Sequence, residues 1–160
     1  MRMLVLSDTH IPRVAADLPQ KVLDEIGRVD MILHAGDFID IEVFDKLKKL
    51  KKVCAVYGNM DSPELRRKLK EKEIIRAGKF KIGLIHGYGA PKELIDTVKS
   101  EFADVDAVVF GHSHSATNVV KDGILYFNPG SPTDTIFASS NSYGILEVDD
   151  KKIEGRIVQL

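Results

Sequence analysis

Tryptophan is missing from the 160 residues, cysteine occurs once, at Cys54, and aromatic residues amount to 7%. One cysteine excludes an intrachain disulfide, and a thiolate metal site would need partners that the chain does not own. A reducing, cytoplasmic setting is therefore expected. No apolar run exceeds five residues, Val53 to Tyr57, whereas a membrane-crossing helix needs about 20. Twelve glycines and six prolines show no repeat, which excludes a collagen-like chain, and an apolar content of 44% excludes disorder. The opening Met-Arg-Met-Leu-Val-Leu is too short for a signal-peptide core and has no small-residue cleavage site, so it is expected to form a first strand. Net charge is almost absent as well, at −1, but residues 46–72 hold ten Lys/Arg against three Asp/Glu. Such runs suit either a nucleic-acid backbone or a solvated helix face. The two basic runs, Lys46 to Lys52 and Arg66 to Lys72, contain no aromatic residue for stacking, which favours the solvated face.

What is present is an alternation of short apolar runs with amphipathic stretches of about ten residues, the pattern of an α/β fold. Strands are expected at Met3–Leu6, Met31–Ala35, Val53–Tyr57, Ile82–His86 and Ala107–Phe110, apolar enough to be covered on both faces. Three helices are expected between them. Leu18, Val22 and Ile26 share one face behind Asp17-Leu18-Pro19; Val43, Phe44, Leu47 and Leu50 form a second stripe; Leu94 or Ile95, Val98 and Phe102 follow Pro91. Pro63 to Leu69 is a short fourth candidate. After His114 the segments Thr117–Lys121, Ile124–Asn128, Ser142–Val148 and Lys152–Val158 are separated by turn residues and read as antiparallel strands. With no repeat or linker, residues 1–160 are expected to form one domain with two sheets.

Four of the five histidines, His10, His86, His112 and His114, stand at or just past predicted strand ends, among Asp, Asn and Gly. Ligand sites of open α/β folds gather at such carboxyl ends. The clusters Asp8-Thr9-His10, Gly36-Asp37, Gly58-Asn59-Met60-Asp61, His86-Gly87 and Gly111-His112-Ser113-His114 would then meet at one edge. Two carboxylates, four imidazoles and an amide oxygen suit Mn²⁺, Fe, Zn²⁺ or Ni²⁺ better than Ca²⁺ or Mg²⁺ alone. Seven groups exceed one tetrahedral ion and fit two ions that share a carboxylate. Singly, each cluster has a plainer reading: a satisfied histidine, an ordinary glycine turn, Asp37 as a helix cap, Asn59 to Asp61 as a turn before Pro63. Together, five strand ends bearing ligand residue types favour metal.

In this order, D-x-H, G-D, G-N-x-D, H-G and G-H-x-H, the stretch from Asp8 to Ser131 resembles the calcineurin-like metallophosphoesterases, and its size resembles their small YfcE-like phosphodiesterase branch. The resemblance implies a four-layer α-β-β-α sandwich, two mixed sheets flanked by helices, with metals at one end of the sheets. It assigns Asp8, His10 and His114 to a first ion, Asn59, His86 and His112 to a second, and Asp37 to the bridge between them. Asp37, Asn59 and His86 are expected to serve catalysis too. It further implies two divalent ions, Mn²⁺ foremost, and in-line attack of a bridging hydroxide on a phosphodiester.

Departures from the family bear on the substrate. Phosphoprotein phosphatases of the superfamily carry a proton-donating His after the G-N pair, where Met60 stands here. Their Arg after the G-D segment is missing from Phe38-Ile39-Asp40-Ile41, which removes a clamp for a dianionic monoester. Both absences favour diesters, with a monoesterase as the alternative. A further alternative is a protein-binding scaffold, the role of a retromer subunit similar to this fold; its ligands are eroded, whereas all seven ligand types stand here. Tyr88 could donate a proton or merely pack over the site. Arg13 could reach a phosphate, His34 could orient a ligand, and Asn128-Pro129-Gly130-Ser131 reads as a turn ending a strand. A small or short-chain phosphodiester is the expected partner; nucleic acid has weak support, a membrane none, and self-association occurs in some small relatives.

Overall fold

The structure is a computed structural model that describes residues 1–134, 136, 138 and 140–160. Among the described residues, ten strands and four helices follow one another as β1 Arg2–Leu6, α1 Gln20–Ile26, β2 Met31–His34, α2 Ile41–Leu50, β3 Val53–Ala55, α3 Pro63–Lys68, β4 Lys72–Ala77, β5 Phe80–Ile85, α4 Leu94–Ser100, β6 Ala107–Val109, β7 Thr117–Lys121, β8 Ile124–Asn128, β9 Ser142–Val148 and β10 Ile153–Gln159. A short 3₁₀ turn, Pro91–Glu93, leads into α4.

The strands form two five-stranded sheets, ordered β10-β9-β1-β2-β3 and β4-β5-β6-β8-β7. Each sheet is mixed. In the first, β1, β2 and β3 run parallel while β9 is antiparallel to β1 and β10. In the second, β5, β6 and β8 run parallel and are flanked by antiparallel β4 and β7.

Period-two alternation explains how the layers stack. Met3 and Val5 of β1 point between the sheets, where they meet Ile82, Leu84, Val109 and Phe127. Leu4 and Leu6 point the other way, onto Val22 and Ile26 of α1, Phe44 and Leu47 of α2 and Leu65 of α3. Across the second sheet, Val108 and Tyr126 face Leu94 and Val98 of α4. The order is thus helix, sheet, sheet, helix, as expected. Local signals start the helices: Asp40 caps α2 by accepting from Glu42 N at 3.0 Å, and Ser62 caps α3 ahead of Pro63 at the first helical position. Asp37 is therefore not the cap of α2.

Two expectations need correction. The strands after His114 are not simply an antiparallel set, because β8 lies parallel against β6 and the late strands are divided between both sheets. β4 was not anticipated: its sequence, Lys-Glu-Ile-Ile-Arg-Ala, is an edge strand that buries only Ile75 and Ala77. Among the described residues no helix is long and apolar enough to cross a membrane.

Candidate metal centre

The carboxyl ends of β1, β2, β3, β5 and β6 open on one edge, and hydrogen bonds join the loops that follow. Asp8 N donates to Gly36 O at 3.0 Å, His10 N to Asp37 O at 3.0 Å, and Gly111 N to His86 O at 3.0 Å. These loops are bent in an unusual way. Asp8, His10, Asp37, His112 and His114 have φ of +53°, +46°, +59°, +68° and +55°, in the left-handed region that L side chains rarely occupy. Each such residue costs about 1–3 kcal/mol and persists only where its surroundings hold it, a pattern concentrated at functional sites.

Both carboxylates are built alike. Asp8 Oδ2 accepts from Ser7 Oγ at 2.6 Å and His112 N at 3.1 Å, and Oδ1, which shares the His112 N–H at 3.3 Å, lies 3.5 Å from His114 Nε2 and 3.9 Å from the Nε2 atoms of His10 and His86. Asp37 Oδ1 accepts from Met60 N at 2.7 Å, and its Oδ2 lies between His86 Nε2 at 3.4 Å and His10 Nε2 at 3.5 Å. Asn59 Oδ1 stands 3.1 Å from both His86 Nε2 and His112 Nδ1. All seven predicted residues are therefore brought together. Asp8, His10 and His114 form one group whose ligand atoms lie within 4.8 Å of one another, and Asp8, Asp37 and His86 form another. Asp8 thus reaches both groups.

Two buried carboxylates make the pocket a strong field for positive charge. Burial disfavours the charged form of His86, but its hydrogen bond to Asp37 and the charges of Asp8 and Asp37 prevail, and its pKa is pushed up to about 9. Burial raises the Asp37 carboxyl, yet His86 and the Met60 N–H more than reverse this and hold it below the usual range. At His10 burial wins over the same two carboxylates and lowers the pKa. His10 Nε2 is buried without a hydrogen-bond partner among the described residues. An orphaned ring nitrogen facing two carboxylate oxygens, beside further N and O donors, fits a divalent transition-metal ion.

Residues behind this layer explain its stiffness. Asp61 accepts from Gly58 N at 2.8 Å, Ile39 N at 2.8 Å and Asp37 N at 3.1 Å, which fastens the loops after β2 and β3 together. Arg66 clamps the same loop through Asn59 O at 2.7 Å and Asp61 O at 3.1 Å. His34 is fully buried and neutral, its pKa well lowered by burial; Nδ1 accepts from Gly36 N at 3.2 Å, and its ring stacks on Phe38. Asn128-Pro129-Gly130-Ser131 does more than end a strand. Asn128 Nδ2 donates to Gly111 O at 2.8 Å and Ser131 Oγ to Asp8 O at 2.7 Å, bracing two ligand loops. Sequence reasoning missed Asp134, whose Oδ2 is 2.6 Å from His114 Nδ1. Tyr88 hydrogen-bonds Glu101 at 2.8 Å and is half exposed. A cavity of about 390 Å³ opens over His10, Asp37, Asn59 and His114, rimmed by Arg13, Met60 and Ile136.

Residues 1–151 match the family described as the calcineurin-like phosphoesterase superfamily domain. The chain belongs to this superfamily. It is 44% identical over 134 residues to a protein of Methanocaldococcus jannaschii named "Probable metallophosphoesterase", covering 81% of this chain and 67% of that one. A second protein so named, from Methanothermobacter thermautotrophicus, is 31% identical over 159 residues, 97% of this chain and 90% of the relative. Among solved structures, the zinc complex of Vps29 from Entamoeba histolytica is 29% identical, covers 99% of both chains and superposes with a TM-score of 0.76.

Proposed function

We propose that the protein is a metal-dependent phosphodiesterase with two divalent transition-metal ions, Mn²⁺ foremost. Asp8, His10 and His114 would hold one, Asn59, His86 and His112 the other, and Asp37 would bridge them. The observation that carries this reading is the similar treatment of the two carboxylates: each anchors one oxygen on its closest hydrogen-bond donors of the chain and turns the other, which for Asp8 still shares the His112 N–H, toward imidazole nitrogens. A cation pair so placed supplies Lewis acidity toward a phosphoryl oxygen and lowers the pKa of water.

The chain itself supplies rigidity and selects the ester. Ligands fixed by buried hydrogen bonds cost no reorganisation when charge develops on phosphorus oxygens. At the rim the exposed Met60 thioether cannot protonate a leaving group, and the Tyr88 hydroxyl is engaged with Glu101. Leaving groups that depart without assistance are thereby favoured. Arg13, on the same rim, is the side chain suited to a phosphate oxygen of a diester.

Hydrolysis of a chromogenic phosphodiester and its matching monoester by metal-stripped protein, titrated with Mn²⁺, Ni²⁺, Zn²⁺ and Mg²⁺, tests the reading. Diester turnover restored by metal, and abolished in a folded Asp37→Ala variant, is expected; a monoester preference overturns the substrate class, and full activity of Asp37→Ala overturns the bridge. A protein-binding role on the same fold draws support from the likeness to Vps29, and would be favoured by a chain that neither binds metal nor turns over either ester.

A further inference from the structure

Resting on that metal reading, we propose that Asp134 is a positioning residue for one half of the site: it fixes the ring of His114 and makes the Asp8–His10–His114 position the tighter of the two. An ionised carboxylate only accepts, so the 2.6 Å contact from Asp134 Oδ2 places the proton on His114 Nδ1 and makes Nε2 the unprotonated ring nitrogen, the one able to ligate. Nε2 is the atom that faces Asp8 Oδ1, at 3.5 Å.

The other half is oriented differently. His86 Nδ1 meets the neutral carbonyl of Ala35 at 2.7 Å, and His112 Nε2 meets the carbonyl of Gly89 at 3.2 Å. Three rings are thus each turned by an oxygen acceptor, and the acceptor of His114 is a carboxylate. Charge-assisted hydrogen bonds are roughly twice as strong as neutral ones, and a carboxylate behind a ligating histidine raises its basicity. The asymmetry therefore favours cation binding at the His114 position.

Asp134 is itself held in place. It is buried, its Oδ1 accepts from Ile136 N at 2.7 Å, its Oδ2 from Ala138 N at 2.7 Å, and its own N–H donates to Ser131 Oγ at 3.0 Å. Ser131 Oγ donates onward to Asp8 O at 2.7 Å. One segment thereby sets both the ring of His114 and the backbone of Asp8. His114 lies at φ +55°, where such external restraint is needed.

Zinc titration of metal-stripped protein against a chromophoric chelator, with native mass spectrometry to count ions, tests the role. Wild type should take up two zinc ions; Asp134→Asn should lose affinity for one of them by about 10- to 100-fold, leave the other unchanged, and Asp134→Glu should recover part of the loss. Equal loss at both positions, or loss at neither, overturns the proposal. Independently of any variant, ¹⁵N shifts of the wild-type His114 ring should show the Nδ1–H form with and without zinc, and an Nε2–H form overturns it. A wild type that binds no zinc overturns the metal reading itself, and the role of Asp134 with it.

Discussion

Asp61 offers no atom to the ligand cluster, yet three backbone donors depend on it, two of them buried and the third, Ile39 N, partly so. Two of the three belong to Asp37 and Ile39, whose φ of +59° and +83° are unfavourable, the latter especially so for a β-branched side chain. Burial pushes the Asp61 carboxyl up, against the pull of the N–H groups it accepts from. Its role is to hold strained backbone, so Asp61→Ala should destabilise the metal-free protein by about 3 kcal/mol, roughly 1 kcal/mol for each orphaned donor. Urea unfolding measures this, and Asp61→Asn, which keeps one acceptor oxygen, should fall between the two; a variant as stable as wild type would show that water or rearrangement replaces the carboxylate. In the sequence Asp61 is legible as part of the Gly58-Asn59-Met60-Asp61 turn before Pro63. Asp134 is not legible there, since it lies twenty residues beyond its partner His114, and only the return of the β7–β8 hairpin brings them together.

Strands carry the ligands, and the loops between strand and ligand set their aim. Gly58 shows how tight these loops are: a Cβ there would stand 2.1 Å from Asp37 Oδ1 and 2.6 Å from Asp37 N. Gly58→Ala must therefore displace the carboxylate that faces both His10 and His86. Zinc affinity is expected to fall at least about tenfold, while Gly78→Ala, in the β4–β5 turn at φ +60° with open space around its Cβ, should cost about 1–2 kcal/mol of stability and leave zinc binding intact. Equal zinc affinity in Gly58→Ala and wild type would mean that the loop yields without moving Asp37. The elements of this frame were legible in proportion to their burial. β1, β2 and β6 are covered on both faces and stand out as apolar runs, as do the stripes of α1, α2 and α4. β4 escaped because half of it faces water, so its charged positions merge with the basic run before it. The partition of strands between the sheets was hidden too, because the same apolar segment would suit either.

Across the whole molecule, charge that is segregated in sequence is mixed in space. The basic residues 46–72 meet acids brought from other segments: Lys46 pairs with Asp17, Lys68 with Asp45 at 2.9 Å and Lys72 with Glu101 at 2.6 Å, while Lys70 pairs nearby with Glu73 at 3.1 Å. Arg66 spends its donors on the Asn59 and Asp61 carbonyls, and Lys48 and Lys68 lie over the Phe44 ring at 5.4 and 5.3 Å. These pairs are exposed and add little stability, since surface ion pairs are worth about 0–1 kcal/mol. Their consequence is for partners. A protein that neutralises six to ten phosphates loses about 10³–10⁵ in duplex affinity between 50 and 200 mM salt, because each contact releases counterions. With Lys46, Lys68, Lys70 and Lys72 paired with carboxylates and Arg66 turned onto backbone carbonyls, the segment has fewer charges to offer a phosphate backbone than its ten Lys/Arg suggest. Fluorescence anisotropy with a labelled 20-base-pair duplex should therefore show weak binding whose affinity falls less than about tenfold over that salt range. A fall of a thousandfold or more would reveal a continuous basic track and return the basic residues 46–72 to the substrate-binding surface.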